Sequence, residues 1–190
     1  FEQIKEYAQK LSFPLVIKPA TQGSSVGLSI VKSEKDLKEA VDKAFNIDDE
    51  IIIEKYLKGR EITVGILDDK PLPVVEIIPK VSEFFDYKAK YTPGLAEEVC
   101  PAQLSKALTQ KAQEYGLIAH RALKLRHYSR TDMIVVGKEI YVLETNTIPG
   151  MTETSLLPLA AKIAGYSFEE LIQKLLELAL KDKPKNKIPV

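Results

Sequence analysis

Only one cysteine, Cys100, occurs in the 190-residue sequence. A lone cysteine cannot form an internal disulfide, which excludes a disulfide-stabilised secreted scaffold and favours a reducing compartment, the cytoplasm. No apolar run approaches the roughly 20 residues that a membrane-spanning helix needs, and the first residues show no signal-peptide pattern. We therefore expect a soluble cytoplasmic protein without a membrane partner.

The sequence also lacks net charge, because 27 lysines and arginines balance 27 aspartates and glutamates. This balance argues against nucleic acid as the main partner. The two histidines, His120 and His127, show no metal-binding spacing with a cysteine or carboxylate, so we expect both to be structural. The order G-x-x-x-x-G-K-[ST] is missing as well, which excludes a P-loop.

The apolar periodicity that is present predicts an α+β chain. Helices are expected near 1–11, 33–44, 105–125, 155–164 and 167–180, and strands at 15–18, 26–31, 51–56, 62–67, 74–78, 131–136 and 139–144. The segment 82–102 shows neither period, and a loop of that length is usually functional. The chain opens inside a helical pattern without a methionine, so we expect an N-terminal portion to be missing.

The stretch VIKPATQGSSVG, residues 16–27, resembles a strand that feeds a phosphate-binding loop. Lys18 ends an apolar run, and glycines and serines follow it. A lysine point charge and the N–H groups of such a loop are complementary to oxygen-rich anions, so a polyphosphate is the predicted ligand. Taken alone, Lys18 is explained equally well as a side chain that reaches the surface along an apolar stem.

A predicted strand near residue 144 ends with two oxygen-bearing side chains on one face, Glu144 and Asn146. Such ligands suit a hard cation such as Mg2+. Asp132 lies on the partner strand, and the register decides whether it joins them. A two-residue loop would place Asp132 on the opposite face, whereas a three-residue loop centred on Lys138 would set it directly across from Glu144. We expect the three-residue loop, although a strand-end carboxylate taken alone is more often solvated or ion-paired.

Two further segments carry weaker signals. The chain leaving a buried strand at 54–57 exposes backbone groups that could read an adenine edge, and Glu61 could accept hydrogen bonds from ribose hydroxyls; many edge strands look the same. The long loop contains FDYKAKY, whose tyrosines and lysines are consistent with a lid that closes over an anionic ligand. A solvated polar loop is the alternative.

Taken in order, these pieces resemble the ATP-grasp enzymes, and within them the D-alanine:D-alanine ligase family. The motifs that carry the resemblance run from about residue 16 to residue 155: VIKPATQGSSVG, EKYLKGREITV, FDYKAKY, CPA, SRTD and LETNTIPGMTETS. The resemblance implies two α+β subdomains with mainly antiparallel sheets that clamp ATP between them. Residues 1–57 would be the C-terminal part of the central subdomain, and 58–190 the C-terminal subdomain with a mobile loop at about 82–102.

The resemblance also implies roles for individual residues. Lys18 and Lys90 would contact the ATP phosphates, the segment 54–57 the adenine, and Glu61 the ribose. The full set implied to bind ATP is Lys18, Ser25, Glu54, Lys55, Tyr56, Leu57, Glu61 and Lys90. Asp132, Glu144 and Asn146 would hold two Mg2+ ions, for which Mn2+ substitutes.

For catalysis, the resemblance implies that Arg130 and the Gly150 N–H stabilise a tetrahedral intermediate. Ser155 and Leu156 would bind the carboxylate of the second substrate near a helix N-terminus. Ser24 and Tyr91 would tie the lid loop to the substrate. Relatives that join D-alanine to D-lactate carry a histidine in place of this tyrosine, so Tyr91 favours a D-alanine amine.

The implied activity is ATP-dependent joining of two D-alanine molecules through an acyl phosphate, for peptidoglycan synthesis, with a homodimer as the family precedent. The alternatives are another ATP-grasp carboxylate-amine or carboxylate-hydroxyl ligase, or a nucleotide-binding module that has lost catalysis. A complete ligase also carries an N-terminal domain, which supplies part of the first substrate's pocket; either this chain is a fragment, or another polypeptide supplies that part. We therefore expect this chain alone to bind Mg-ATP weakly and to show little or no ligase activity.

Overall fold

The computed structural model describes residues 1–23, 25–80 and 96–182. Its helices are α1 Glu2–Leu11, α2 Leu37–Phe45, α3 Lys106–Ala122, α4 Leu156–Ile163 and α5 Phe168–Lys181. Its strands are β1 Leu15–Pro19, β2 Ser29–Val31, β3 Ile51–Lys55, β4 Arg60–Leu67, β5 Lys70–Pro71, β6 Val75–Pro79, β7 Ala96–Val99, β8 Tyr128–Val136 and β9 Glu139–Asn146. The described chain forms two compact units, one built on Phe1–Lys58 and one on Gly59–Ile78 and 97–182.

The first unit is a three-stranded antiparallel sheet with helices packed on it. Its strand order is β2-β1-β3, so β1 is central. Leu15 and Ile17 alternate on one face of β1 and are fully buried. They pack with Ala8 of α1 and with the apolar face of α2, which is formed by Leu37, Ala40, Val41 and Ala44. The helical spacing of that face in the sequence is therefore confirmed.

The second unit is built on an antiparallel sheet of order β7-β6-β4-β8-β9, with β5 paired to β4. One sheet face carries Ile62, Val64 and Met133, and α3 covers it to form the core. Gly116 allows this close approach, because a Cβ there would lie 2.9 Å from Val64 Cγ1. Alternate residues of a strand point to opposite faces, so Thr63 and Gly65 of β4 belong to the other face.

The helix α4 packs over part of that other face. A Cβ added at Gly65 would meet Leu157 Cδ1 at 3.6 Å and Leu72 Cδ1 at 3.1 Å. Leu157 itself is 1% exposed. The glycine therefore gives α4 room beside the sheet, close to the residues that β8 presents on the same face.

The hairpin between β8 and β9 corrects one prediction and confirms another. Val136 pairs with Glu139, so the connecting turn has two residues, and the expected three-residue loop is wrong. Asp132 nevertheless lies opposite Glu144, as expected, because the register shifts between Asp132 and Met133. Met133 pairs with Val142, which leaves Leu143 as the extra residue of a β-bulge. With the two-residue turn alone, Asp132 and Glu144 would lie on opposite faces of the sheet. The extra residue of the bulge places them on the same face.

Two other expectations about the elements change. The segment expected to be one long loop contains the strand β7, Ala96–Val99, next to β6; the rest of that expectation, 81–95, lies outside the described residues. The strand expected at 26–31 is shorter, Ser29–Val31, because residues 25–28 form turns in which Ser25 and Gly27 have positive φ. Across the described ranges, no helix combines the length and the apolar character needed to cross a membrane.

Candidate functional site

Four of the predicted site residues share one face of the second unit's sheet. Arg130 and Asp132 are alternate residues of β8, and they pair with Asn146 and Glu144 of β9, respectively. Directly opposed residues of an antiparallel pair project to the same side of the sheet. The structure thus brings Arg130, Asp132, Glu144 and Asn146 together as the sequence predicts.

Asp132 is the centre of this group. It is 8% exposed, and both of its carboxylate oxygens accept hydrogen bonds. Arg130 donates to it from Nε (3.0 Å to Oδ1) and from Nη2 (2.9 Å to Oδ2). Asn146 Nδ2 donates to Oδ2 over 3.0 Å, and Thr63 Oγ1 donates to Oδ1 over 2.6 Å. The buried charge is therefore paired and fully hydrogen-bonded, as a carboxylate in such a place must be.

The donor set fits a hard cation. Asp132 and Glu144 supply carboxylate oxygens, and the amide of Asn146, whose nitrogen faces Asp132, has its oxygen left for coordination. Within 1–23, 25–80 and 96–182, no cluster of three or more His, Cys, Asp or Glu side chains could hold a metal. A cation at this face would therefore rely on two carboxylates and one amide, together with oxygens from a ligand, which is the mixed coordination typical of Mg2+ with phosphates.

Arg130 is held close to the sheet and is only 18% exposed in its side chain. Two of its guanidinium N–H groups donate to Asp132, and within the part of the chain that the structure describes, Nη1 and the second Nη2 hydrogen remain as donors. Desolvation raises the pKa of a second carboxyl, Glu98 of β7, and the positive charge of Arg130 partly offsets this rise. The face thus presents a fixed cation with donors to spare.

The loop that follows β9 brings together Gly150, Thr152 and Ser155. The Ser155 hydroxyl accepts a hydrogen bond from Thr152 N (3.1 Å) and lies 2.7 Å from Thr152 Oγ1. A Cβ at Gly150 would lie 2.9 Å from Ser155 Oγ, so a larger residue there would have to displace this hydroxyl. Ser155 is the N-cap residue of α4 without a side-chain capping bond, because its hydroxyl turns back to Thr152.

Leu156, predicted with Ser155 to bind a carboxylate, is buried at 8% exposure. Its side chain belongs to the interior, so only its backbone N–H is suited to an anion. As the first residue of α4, it has no acceptor within the helix for that N–H. The predicted binding of a carboxylate would therefore fall to the backbone N–H at the N-terminus of α4.

In the first unit, the predicted phosphate loop joins β1 to β2. Gly27 has φ 74°, and a Cβ there would approach Pro19 Cγ to 2.8 Å and Ile47 Cδ1 to 2.6 Å. Ser25 also has positive φ, and its carbonyl accepts from Leu28 N. These turns hold the loop in a compact form against the end of β1. Ser24, the remaining serine of the predicted loop, lies outside the described residues.

Sequence reasoning missed the residue that holds the base of this loop, Asp48. Its Oδ2 accepts hydrogen bonds from Thr21 N (2.8 Å) and Thr21 Oγ1 (2.5 Å), and its Oδ1 accepts from Glu50 N (3.2 Å). The contacts with Thr21 hold the pKa of Asp48 below its usual value. The signal in the sequence was weak, because an Asp before a strand is usually only a turn residue.

Lys18 is neither free nor simply surface-directed. Its ammonium lies 2.9 Å from Glu54 Oε2, and the two side chains are 21% and 36% exposed. Both belong to the sheet face opposite Ile17. A half-buried lysine at the end of a strand, with one carboxylate partner, keeps hydrogens available for an anion.

The predicted adenine segment runs along β3, an edge strand of its sheet. Tyr56 N already donates to Pro14 O over 3.0 Å, so it is not available to a ligand. Backbone groups of successive strand residues point in opposite directions, so those of Lys55 point away from β1. Within this segment, only alternate residues therefore have backbone groups that are available to contact an adenine.

Glu61 lies on β4, two residues before Thr63, and therefore on the same sheet face as Asp132. Lys90 and Tyr91 lie outside the described residues. Thr63, like Asp48, was missed by sequence reasoning. Its signal was a polar residue inside a run of apolar β4 residues, two positions from Glu61.

Comparison with known proteins agrees with this arrangement. The family model described as the C-terminus of D-ala D-ala ligase matches residues 1–177. The chain belongs to the D-alanine–D-alanine ligase family. Among curated members of the family, the D-alanine–D-alanine ligase of Syntrophobacter fumaroxidans is 55% identical over 92% of this chain, and that of Pelobacter propionicus is 54% identical over 87%.

Solved structures of D-alanine–D-alanine ligase relatives show the same fold. The Bacillus anthracis D-alanine–D-alanine ligase complexed with ATP superposes on 91% of this chain with a TM-score of 0.79 and 36% identity. The VanG D-Ala:D-Ser ligase of Enterococcus faecalis covers 93% with a TM-score of 0.81 and 34% identity. The fold is therefore the α+β ATP-grasp fold expected from the sequence. This chain spans 58% and 54% of the two curated relatives' lengths.

Proposed function

We propose that this chain forms the ATP-binding and metal-binding part of a D-alanine:D-alanine ligase that makes D-alanyl-D-alanine for peptidoglycan synthesis in the cytoplasm. The observation that carries the proposal is the sheet face on which Arg130, Asp132, Glu144 and Asn146 meet, since a pure binding module has no need of the arginine. Membership of the ligase family supports it. A homodimer is the assembly we propose for the complete enzyme.

The proposed reaction has two steps. The carboxylate of one D-alanine attacks the terminal phosphorus of ATP. The bond between that phosphorus and the bridging oxygen breaks, so an acyl phosphate forms and ADP departs. The amine of a second D-alanine then attacks the acyl carbon, loses a proton and displaces inorganic phosphate. Two Mg2+ ions, or Mn2+ in their place, would neutralise charge on the phosphates when bound by Asp132, Glu144 and Asn146.

Nucleotide binding is assigned to residues whose chemistry suits each part of ATP. Lys18, Ser25 and Lys90 would hold the phosphates, because ammonium and loop donors are complementary to anionic oxygens. The backbone of the segment 54–57 (Glu54, Lys55, Tyr56 and Leu57), with the available groups of Lys55 foremost, would read the adenine, and Glu61 the ribose hydroxyls. The pairing of Lys18 with Glu54 supports the first assignment, because it holds the ammonium at the strand end.

The acyl-transfer step is assigned to donors that are already oriented. Arg130 is fixed by Asp132 and retains free N–H groups, so it and the Gly150 N–H would stabilise negative charge on the tetrahedral intermediate. The Ser155 hydroxyl and the Leu156 N–H at the start of α4 would hold the carboxylate of the second D-alanine. Ser24 and Tyr91 would connect the lid to the substrate.

A product assay tests the proposal. The purified chain is mixed with Mg-ATP and D-alanine, with D-serine and D-lactate as parallel second substrates, and products are identified by mass spectrometry. D-alanyl-D-alanine formation supports the proposed reaction and overturns the expectation that the chain alone is nearly inactive. If only D-alanyl-D-serine or D-alanyl-D-lactate forms, the proposed second substrate is wrong. If no product forms, calorimetry with Mg-ATP separates a nucleotide-binding part from a chain that binds nothing, and the second result would refute the proposal.

A further inference from the structure

A threonine in the middle of β4 contacts the proposed metal ligand Asp132. Thr63 is 1% exposed, and its hydroxyl oxygen lies 2.6 Å from Asp132 Oδ1. The two residues are directly opposed in the β4–β8 register, so the contact is fixed by the sheet itself. A buried hydroxyl among apolar strand residues costs free energy unless it is hydrogen-bonded, and here its partner is a carboxylate.

The simple structural explanation for Thr63 does not account for this geometry. A threonine in a strand often serves only as a β-branched residue whose hydroxyl bonds a main-chain carbonyl, and Thr131 O lies 3.1 Å from Thr63 Oγ1. The hydroxyl has a single hydrogen. It donates to Asp132 because that oxygen is closer and charged, and hydrogen bonds to ionised acceptors are both shorter and stronger.

The other two donors to Asp132 have further tasks in the proposed reaction. Arg130 is assigned to the tetrahedral intermediate, and Asn146 is itself a proposed metal ligand. Thr63 has no such task, and it lies on a buried strand whose neighbours Ile62 and Val64 are fully buried. It is therefore the donor best able to hold Oδ1 in place while the remaining contacts change.

We propose that Thr63 is a positioning residue, which holds the Asp132 carboxylate through Oδ1 in the orientation from which it would bind a divalent cation. This inference rests on the metal site of the proposed function. Hydrogen-bond partners behind a metal ligand orient it, and their loss typically weakens metal affinity by about 10- to 100-fold. Valine in place of threonine keeps a β-branched side chain of similar shape and replaces the hydroxyl, and with it the donor, by a methyl group.

The experiment measures Mn2+ affinity of the chain by electron paramagnetic resonance in the presence of ADP, together with urea unfolding. The variants are Thr63→Val, Thr63→Ser and the control Thr131→Val. Thr131 is also fully buried, on the strand next to β4, and its hydroxyl bonds Thr145 Oγ1 at 3.0 Å rather than Asp132. It therefore reports the effect of losing a buried hydroxyl near the site.

We expect Thr63→Val to weaken Mn2+ binding by about tenfold or more, while Thr63→Ser and Thr131→Val bind within about twofold of wild type. Equal Mn2+ affinity of Thr63→Val and wild type would overturn the inference but leave the metal site standing. Equal losses in Thr63→Val and Thr63→Ser, or in Thr63→Val and Thr131→Val, would also overturn it, since packing would then be the cause. If wild type binds no Mn2+ while ADP binds, the metal site of the proposed function fails as well.

A folding defect in Thr63→Val would appear in the urea unfolding curve. In that case Thr63→Cys replaces it, because the thiol has a similar shape and is only a weak donor. The same loss of Mn2+ affinity is expected from Thr63→Cys, and wild-type affinity in that variant would overturn the inference.

Discussion

Glu144 faces Asp132 directly across β8 and β9, and this pairing depends on Leu143, which has no cross-strand partner. The two carboxylates differ in their surroundings. Asp132 is buried and bonded to Arg130, whereas Glu144 is exposed. Removing each should therefore have different consequences, although both are assigned to the same metal site.

The first prediction separates metal binding from stability at these two positions. Glu144→Gln should weaken Mn2+ binding by about tenfold or more but change the free energy of unfolding by less than about 0.5 kcal/mol. Asp132→Ala should abolish Mn2+ binding and cost about 3 kcal/mol, because it leaves the Arg130 guanidinium without its partner. Titration with Mn2+ and urea unfolding measure the two effects. Equal stability losses in both variants would contradict the expectation that burial of the carboxylate decides the cost of removing it.

The second prediction concerns the ion pair of Arg60 and Glu76. Arg60 binds Glu76 through two contacts of 2.6 Å, and it also donates to Gln103 O. The Glu76 side chain is only 9% exposed. Arg60→Met should lower the free energy of unfolding by about 3 kcal/mol, because it leaves a buried carboxylate unpaired. Urea unfolding at neutral pH measures this loss.

A matched pair on the surface is the control. Arg121 binds Asp69 with the same two-contact geometry, but both side chains are more than half exposed. Arg121→Met should therefore cost less than about 1 kcal/mol. The double variant Arg60→Met with Glu76→Leu should recover most of the loss, since no charge is then left buried. Similar costs for Arg60→Met and Arg121→Met would show that burial does not govern these pairs.

The third prediction concerns acid stability and Asp48. Thr21 lowers the pKa of Asp48 in the folded chain, so the unfolded chain takes up a proton first as the pH falls. The stabilising contribution of the carboxylate is complete above its ordinary pKa of about 3.9 and is lost as the pH falls through the lowered folded value. The stability difference between wild type and Asp48→Asn should therefore be constant from pH 7 to about pH 5 and shrink towards pH 3.

Asp49 provides the control for that measurement, because its carboxylate makes none of the contacts with Thr21. Urea unfolding of wild type, Asp48→Asn and Asp49→Asn is followed at each pH. We expect Asp49→Asn to track wild type. A stability difference for Asp48→Asn that grows as the pH falls would show that the sign of the effect is wrong.

The elements of the fold could be predicted because apolar spacing decides which residues are buried. Leu37, Ala40, Val41 and Ala44 repeat at helical intervals, and all four lie in the core. The bulge at Leu143 could not be predicted, since an extra residue in one strand is set by the partner strand and leaves no mark of its own in the local pattern. The expected loop length was therefore wrong, while the pairing it was meant to explain is confirmed.

The candidate site was predictable only where its residues lie close together in the sequence. Glu144 and Asn146, or Arg130 and Asp132, show their common face by alternation alone. The donors that support them do not, because Thr63 is 69 residues from Asp132, and Thr21 is 27 residues from Asp48. Such contacts depend on strand order and register, which local patterns leave open.

The last prediction tests the close approach of Gly150 and Ser155. A Cβ at Gly150 would lie 2.9 Å from Ser155 Oγ, so Gly150→Ala should cost about 1–3 kcal/mol in wild type. In a Ser155→Ala background the hydroxyl is absent, and the same substitution should cost less by at least about 0.5 kcal/mol. Gly137→Ala is the control, because its Cβ would meet nothing within 4 Å and its positive φ adds the same strain in either background. Urea unfolding of the five variants and wild type gives both cycles, because Ser155→Ala is common to them. If the cost of Gly150→Ala is independent of Ser155, the hydroxyl does not set the requirement for glycine, and the proposed carboxylate site at the start of α4 loses the constraint that shapes it.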